Sequence, residues 1–301
     1  MRVLVTGGCG FIGSALLRLL HARGHEVVNL DALTYCGFRH NSEGFEHSFV
    51  HGDVCDGSTV RGALEGVEVI FHLAAESHVD RSNVDPAPFV RTNLLGTQVL
   101  CSAALAAGVR RFVHVSTDEV YGSIDEGSFT EHSPLNPTNP YAASKAGSDL
   151  LVLAANKTHG LPAIVTRCTN NFGPRQYPEK LIPLAITRLL AGEPVPVYGD
   201  GQQVRDWIHV EDHARALVSL AERGSPGEIY NIGAHNTRTN LSVVEELCDH
   251  LGGSWVSVPD RPAHDRRYAL DASKLAALGF EAPARDLSST VEWFVERSLP
   301  G

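Results

Sequence analysis

The sequence predicts an α/β fold built on a doubly wound parallel sheet, with a smaller lobe in its C-terminal part. Two observations carry the sheet. Apolar, strand-like runs alternate with helical patterns through the first 170 residues, and the first run ends in a glycine-rich turn that opens a helix. A third observation, the change of pattern after residue 170, separates the lobe. At 301 residues the chain suits one large domain with an appended lobe, and a core of that size needs no disulfide or structural metal.

In order, Arg2 to Gly7 (RVLVTG) reads as a buried strand and Phe11 to Arg23 as a helix by its apolar spacing. His25 to Asp31 is the second strand, Phe49 to Asp53 the third, Glu68 to Ala75 the fourth, Arg111 to Thr117 the fifth and Ala163 to Thr169 the sixth. The helical patterns between them include Pro88 to Ala107 and Tyr141 to Thr158. Beyond residue 170, Gly173-Pro174, Pro178, Pro183, Pro194, Pro196 and Gly199 to Gly201 break the alternation and predict a loop-rich region. Val210 to Arg223 reads as a helix and Glu228 to Gly233 as a strand returning to the main sheet. Further helices are expected near Leu241 to Leu251, Ala272 to Leu278 and Leu287 to Ser298. The expected organisation is a domain over 1–169, rejoined by 205–235, and a lobe made of 170–204 and 236–301.

Hydrophobic residues make up 43% and charged residues 20%, the mix of a soluble globular protein. A net charge of −10 argues against nucleic-acid backbones and anionic membranes as partners. No apolar run is long enough to span a bilayer. The six cysteines are scattered without a C-x-x-C, and the N-terminus enters a strand at once. Reduced thiols and a cytoplasmic location are therefore expected. The 15 histidines show no H-E-x-x-H or Cys/His ligand spacing, so no metal site is expected.

Gly7, Gly10 and Gly13 have the spacing G-x-x-G-x-x-G between the first strand and the first helix. Glycine allows the tight turn, the close approach of a pyrophosphate and close packing of helix on sheet. The helix N-terminus, at Phe11 and Ile12, offers free N–H groups to phosphates. Asp31 ends the second strand about 20 residues on, where a carboxylate meets the adenosine ribose and repels a 2′-phosphate. NAD is therefore favoured over NADP. Asp53, which ends the third strand, is a weaker candidate for adenine contact.

Tyr141 and Lys145 form Y-x-x-x-K, an i, i+4 pair on one helix face. A free phenol has a pKa of about 10. A nearby ammonium is expected to lower it, so the pair could take a hydroxyl proton as a hydride leaves for NAD. The pair follows a strand ending in Ser116-Thr117. Together these features resemble the extended short-chain dehydrogenase/reductase family over essentially the whole chain. The resemblance implies a Rossmann-type sheet, a substrate-binding C-terminal lobe and a redox triad of Thr117, Tyr141 and Lys145. It also implies that Ala74, near the end of the fourth strand, lies against the cofactor.

Asp118 and Glu119 follow the triad threonine. Two close carboxylates resist joint ionisation, so one can remain an acid while the other acts as base. Alone, such a pair would more often be solvated turn residues. The wider motifs resemble the sugar-nucleotide 4,6-dehydratase branch of the family. They are His72 to Ser82 (HLAAESHVDRS), Val115 to Gly122 (VSTDEVYG), Asn170 to Pro174 (NNFGP) and, most specifically, Pro178 to Pro183 (PEKLIP), whereas Arg205 to Val210 (RDWIHV) is shared more widely among relatives. The resemblance implies NAD-dependent dehydration of dTDP-glucose to its 4-keto-6-deoxy derivative, with Asp118 expelling the 6-hydroxyl and Glu119 removing the C5 proton. It sets His78, Asn171, Lys180, Leu181, Tyr198, Arg205, Asn240, Arg261 and His264 against the nucleotide sugar. On their own, His72, His78 and His114 could equally be packing residues. It further implies a homodimer packed through Pro88 to Ala107 and Tyr141 to Thr158.

Three departures stand out: Cys9 in a variable slot of the glycine loop, Arg175 where an aromatic is expected, and a chain slightly short for the family. A 4-epimerase, a decarboxylase of the same family or a non-catalytic NAD-binding regulator are the competing readings. The epimerase shares the glycine loop and Tyr–Lys pair without needing Asp118 and Glu119. The regulator would not need Thr117, Tyr141 and Lys145, all of which are kept.

Overall fold

The structure, a computed structural model, describes residues 1–260 and 264–298. Seven strands form one parallel sheet: β1 (Arg2–Thr6), β2 (Glu26–Asp31), β3 (Ser48–His51), β4 (Val69–His72), β5 (Arg111–Thr117), β6 (Ala163–Cys168) and, late in the chain, β10 (Ile229–Ile232). Their order is β10-β6-β5-β4-β1-β2-β3. Helices cover both faces, which is why these strands are apolar runs and not polar–apolar alternations.

Side chains of β1 and β4 divide between two helical layers by the period-two rule. Val3, Val5, Val69 and Phe71 pack with Leu16, Leu17 and Leu20 of α1 (Phe11–Ala22) and with Ala214, Leu217 and Val218 of α8 (Val210–Arg223). Leu4 and Ile70 pack with Val60 of α2 (Gly57–Ala63), Leu100 and Ala104 of α5 (Thr97–Ala107) and Val152 of α6 (Pro140–His159). Burying each such side chain is worth about 1.5–3 kcal/mol. That burial, more than helix propensity, fixes the helices on the sheet. α6 is also well terminated: the Asn139 side chain accepts from the Ala142 N–H, Pro140 takes the first turn, and Gly160 closes the end in the left-handed region.

The helix expected over Pro88 to Ala107 has an unexpected interior. α3 (Val79–Val84) and α4 (Ala87–Phe89) precede a π-helical stretch, Val90–Gly96, that runs into α5. The wider turn points Asn93 inward. Its amide donates to the Glu76 carbonyl (3.0 Å) and to Ser144 Oγ (2.8 Å), and its Oδ1 accepts from the Glu76 N–H (2.9 Å). A period of 3.6 does not encode such a turn, which recurs at functional sites.

The region after residue 170 is more ordered than the sequence suggests. β7 (Asn170–Phe172), β9 (Val204–His209) and β11 (Thr237–Thr239) form a three-stranded sheet, and β8 (Val195–Tyr198) pairs with β12 (Trp255–Val258). With α7 (Leu181–Leu190), α9 (Asn240–Leu251), α10 (Ser273–Ala276) and α11 (Ser288–Ser298) they complete the elements. Phe172, Ile186, Val197, Trp207, Val244 and Val291 share a second core. The loop-rich expectation is corrected here. Pro183 falls in the first turn of α7, where no N–H partner is lost. Pro196 lies in a two-stranded ribbon, which has open edges. The stretch expected to rejoin the domain over 205–235 does so only from Val210, because β9 is the middle strand of the small sheet.

Candidate active site

At the carboxyl end of the main sheet, β1 has β2 and β3 on one side and β4, β5 and β6 on the other. Ligands bind at such a reversal in open α/β sheets. A cavity of about 480 Å³ lies there, and Gly7 and Ala74 line it side by side. Every site residue expected from the sequence lines it, except Arg261, which lies outside the described residues.

The glycine loop is dictated by space. A Cβ on Gly13 would sit 2.1 Å from the Gly7 carbonyl oxygen. Gly7 has φ +75°, and a Cβ there would meet the Ala74 nitrogen at 2.8 Å. Gly10 caps α1 with no side-chain hydrogen bond, so the first-turn N–H groups beside Phe11 and Ile12 are left for a ligand. Asp31 is buried at the end of β2, and burial raises its pKa. Its Oδ2 accepts from the Cys9 N–H and its Oδ1 from the Leu33 N–H, both at 2.8 Å. A carboxylate has about four acceptor positions, so room remains for ribose hydroxyls. The donor set therefore fits a dinucleotide. Cys9 turns its thiol away, toward Ser42 and Asn29. Asp53 lines the cavity but pairs with Arg91 at 2.6 Å.

Thr117 ends β5, and its hydroxyl interacts with both Asp118 Oδ1 (3.3 Å) and the Glu119 N–H (3.3 Å) in the 3-10 turn Asp118–Tyr121. Asp118 is buried, and its Oδ2 has no hydrogen-bond partner among the described residues. Burial, then the charge of Glu119, pushes its pKa up to about 8. Asn139 donates to Glu119 Oε2 at 3.4 Å. The neighbours thus differ: one is a buried acid, the other an acceptor held by an amide.

Tyr141 and Lys145 reach the same cavity from α6. The Lys145 ammonium donates to the Val115 carbonyl at 2.7 Å. Burial brings its pKa down to about 8, against the opposing pull of Asp149 one turn on. The expected lowering of the Tyr141 pKa is corrected. Burial, then Glu119, holds the phenol well above its ordinary value, and the Thr117 hydroxyl only partly offsets this. In the chain alone, a dry cavity already holding carboxylates outweighs an ammonium tied to a carbonyl.

The far wall comes from the lobe. Arg205 is buried, donating to the Val204 and Asp265 carbonyls (each 2.8 Å) with its guanidinium 4.1 Å from the Tyr268 ring centre. Asn171 donates to the Thr169 carbonyl (2.9 Å) and its Oδ1 faces His213 Nδ1 (2.8 Å). Lys180 donates to the Ser77 carbonyl at 3.2 Å, and Leu181 begins α7. Tyr198 lies edge-on to His264, which bonds Asp260 at 2.6 Å; Asn240 opens α9. His78 caps α3, and His72 bridges Thr6 (2.8 Å) and Thr97 (2.9 Å) beneath the cavity. Sequence reasoning missed Glu76, Cys168, Gln176, Tyr177, Glu179 and Tyr268, which also line the wall. Glu76, Glu179 and Cys168 lie in or beside motifs already singled out, and Tyr268 closes the segment Arg261 to Tyr268, which resembles the family's diphosphate-binding segment. Among the described residues no three His, Cys, Asp or Glu side chains converge as a metal site.

Residues 3–233 match the family described as "NAD dependent epimerase/dehydratase family". This chain belongs to that family. Among relatives of this epimerase/dehydratase member, the dTDP-glucose 4,6-dehydratase of Streptomyces niveus is 50% identical, over 98% of this chain and 93% of its own. The low-salt glycan biosynthesis protein Agl12 of Haloferax volcanii is 53% identical, over 93% of each. The crystal structure of DesIV, a dTDP-glucose 4,6-dehydratase from Streptomyces venezuelae solved with NAD bound, superposes with a TM-score of 0.95 at 49% identity, covering 98% of this chain and 97% of that one.

Proposed function

We propose that this chain converts dTDP-glucose to dTDP-4-keto-6-deoxyglucose with NAD as its resident cofactor. The observation that carries the reading is Asp118, a buried carboxyl whose pKa is raised by burial, in one cavity with a second carboxylate and the Tyr141 phenol. An epimerase has no use for such an acid. The near-identical fold of DesIV and the identity to the Streptomyces niveus dehydratase support the substrate.

Gly7, Gly10, Phe11, Ile12, Gly13 and Ala74 are assigned to the cofactor diphosphate, Asp31 to the ribose and Asp53 to the adenine side. Bound NAD supplies hydride chemistry, storing two electrons between oxidation at C4 and reduction at C6. Tyr141 takes the proton of the C4 hydroxyl, aided by Thr117 and by the charge of Lys145. The resulting ketone acidifies C5, Glu119 removes that proton, Asp118 protonates the C6 hydroxyl, which departs as water, and Glu119 gives its proton back to C5 as C6 is reduced. His78, Asn171, Lys180, Leu181, Tyr198, Arg205, Asn240 and His264, with Arg261, are assigned to the nucleotide sugar. The seven-stranded sheet is read as the cofactor domain and the small sheets as the substrate lobe.

Incubation with dTDP-glucose is expected to yield a product lighter by one water. Recovery of a galactose-configured hexose alone would turn the reading to a 4-epimerase. Asp118→Asn should slow loss of water about 10²–10⁴-fold, as removal of a general acid does, while reduction of bound NAD by the substrate persists.

A homodimer is also proposed. Val84, Val90, Leu95 and Leu150, on the helical edge formed by α3, the π-helical stretch and α6, are between 49% and 87% exposed. A patch of that kind suits a second copy. Among the described residues no helix is long and apolar enough to cross a membrane, and all six cysteines are free thiols, which supports a cytoplasmic setting.

A further inference from the structure

Three segments distant in sequence meet across the cavity. They are the loop after β2, the loop after β4 and the loop before α7. Tyr35 Oη donates to Glu179 Oε1 at 3.2 Å, and Glu179 Oε2 lies 3.5 Å from His78 Nε2. His78 Nδ1 accepts from the Arg81 N–H at 3.2 Å, which leaves the ring proton on Nε2, facing the carboxylate. One glutamate thus ties both loops of the main sheet to the lobe. The bridge is braced on both sides. Arg81 lies 3.8 Å from the Tyr35 ring centre, and Tyr177 meets that ring edge-on at 6.0 Å. The Glu179 and His78 side chains are only 14% and 18% exposed, so water competes weakly for these bonds. Burial raises the Tyr35 pKa, so the phenol remains a donor across the physiological range.

The bridge begins a few residues beyond Asp31 and ends one residue before Lys180, so it spans the route between the ribose end of the cavity and its sugar end. We propose that Tyr35, Glu179 and His78 form a latch that retains the dinucleotide by tying the loop after β2 to the loop before α7. The idea rests on the reading of the resident group as NAD. It also accounts for a requirement of that chemistry. The hydride taken at C4 returns to C6 of the same sugar, so departure of the reduced cofactor midway would strand the intermediate.

The test uses holoenzyme loaded with NADH, without sugar, mixed with excess NAD while NADH fluorescence is followed. Tyr35→Phe and Glu179→Gln should each release NADH about tenfold faster than the parent, a change in line with loss of one partly buried hydrogen bond. The double variant should be little faster than the singles, because they remove one shared interaction. Tyr35→Phe keeps the ring between Arg81 and Tyr177, so its effect would not report misfolding. Unchanged release in both single variants overturns the latch. Turnover of dTDP-glucose by the parent is measured separately: its absence sinks the dehydratase reading, whereas equal release rates sink only the latch.

Discussion

Asp118 shows how a single residue trades stability for chemistry. Its folded pKa of about 8 lies above the ordinary aspartate value of 3.8, so the folded chain holds the proton more tightly than the unfolded one. The sign follows from linkage: the contribution is full below the unfolded pKa and is lost as pH rises through about 8. Loss of water should therefore fall on the alkaline side as Asp118 ionises. Replacing it by Asn removes the buried charge. Asp118→Asn should raise the melting temperature at about pH 9, and by clearly less as the pH is lowered toward the unfolded value, read by differential scanning calorimetry. A lower melting temperature at the alkaline pH would show that the carboxylate is accommodated. The adjacency of Asp118 and Glu119 was legible in the sequence, and so were the triad and the glycines, because each is a local pattern. Their opposite environments were not, since Asn139, Arg205 and Tyr268 are brought in by the fold. The direction of the Tyr141 shift is not legible for the same reason: the Lys145 spacing is local, whereas the burial and the Glu119 charge that raise the phenol's pKa come from the fold.

Between elements, a buried ionic cluster fastens α6 to the strands beneath it. Arg167 of β6 meets Asp149 of α6 at 2.9 Å, and His114 of β5 reaches Ser148 Oγ at 3.0 Å and Asp149 at 3.4 Å. All three charged or titratable side chains are at most 2% exposed. Tyr141, Lys145 and Asp149 fall at i, i+4 and i+8 on one face, so the cluster sits one turn below the reacting pair. Arg167→Met should destabilise the chain by about 3–5 kcal/mol, because it strands the Asp149 carboxylate in the core. Asp149→Leu combined with Arg167→Met should recover much of that in urea denaturation, as hydrophobic replacement of a buried pair often does. A double variant as unstable as the single would show that the pair itself stabilises the fold. At this scale the long elements were readable from their periodicity. The strands of three to six residues in the lobe, and the π-helical turn that aims Asn93, were not, because neither offers enough repeats of one period.

For the whole molecule, the exposed apolar edge sets the expected assembly. Leu150, 57% exposed on α6, is the natural probe. Leu150→Glu should convert a sedimenting dimer to monomer, and an unchanged mass would place the interface elsewhere or nowhere. The path of the chain has one more consequence. It leaves the large sheet after β6, passes through β7, β8 and β9, comes back for α8 and β10, and leaves again for β11. Neither layer is a contiguous stretch of polypeptide, so no single cleavage could set one adrift from the other. A nicked molecule would stay whole, and a truncation between β7 and β10 would damage both sheets at once.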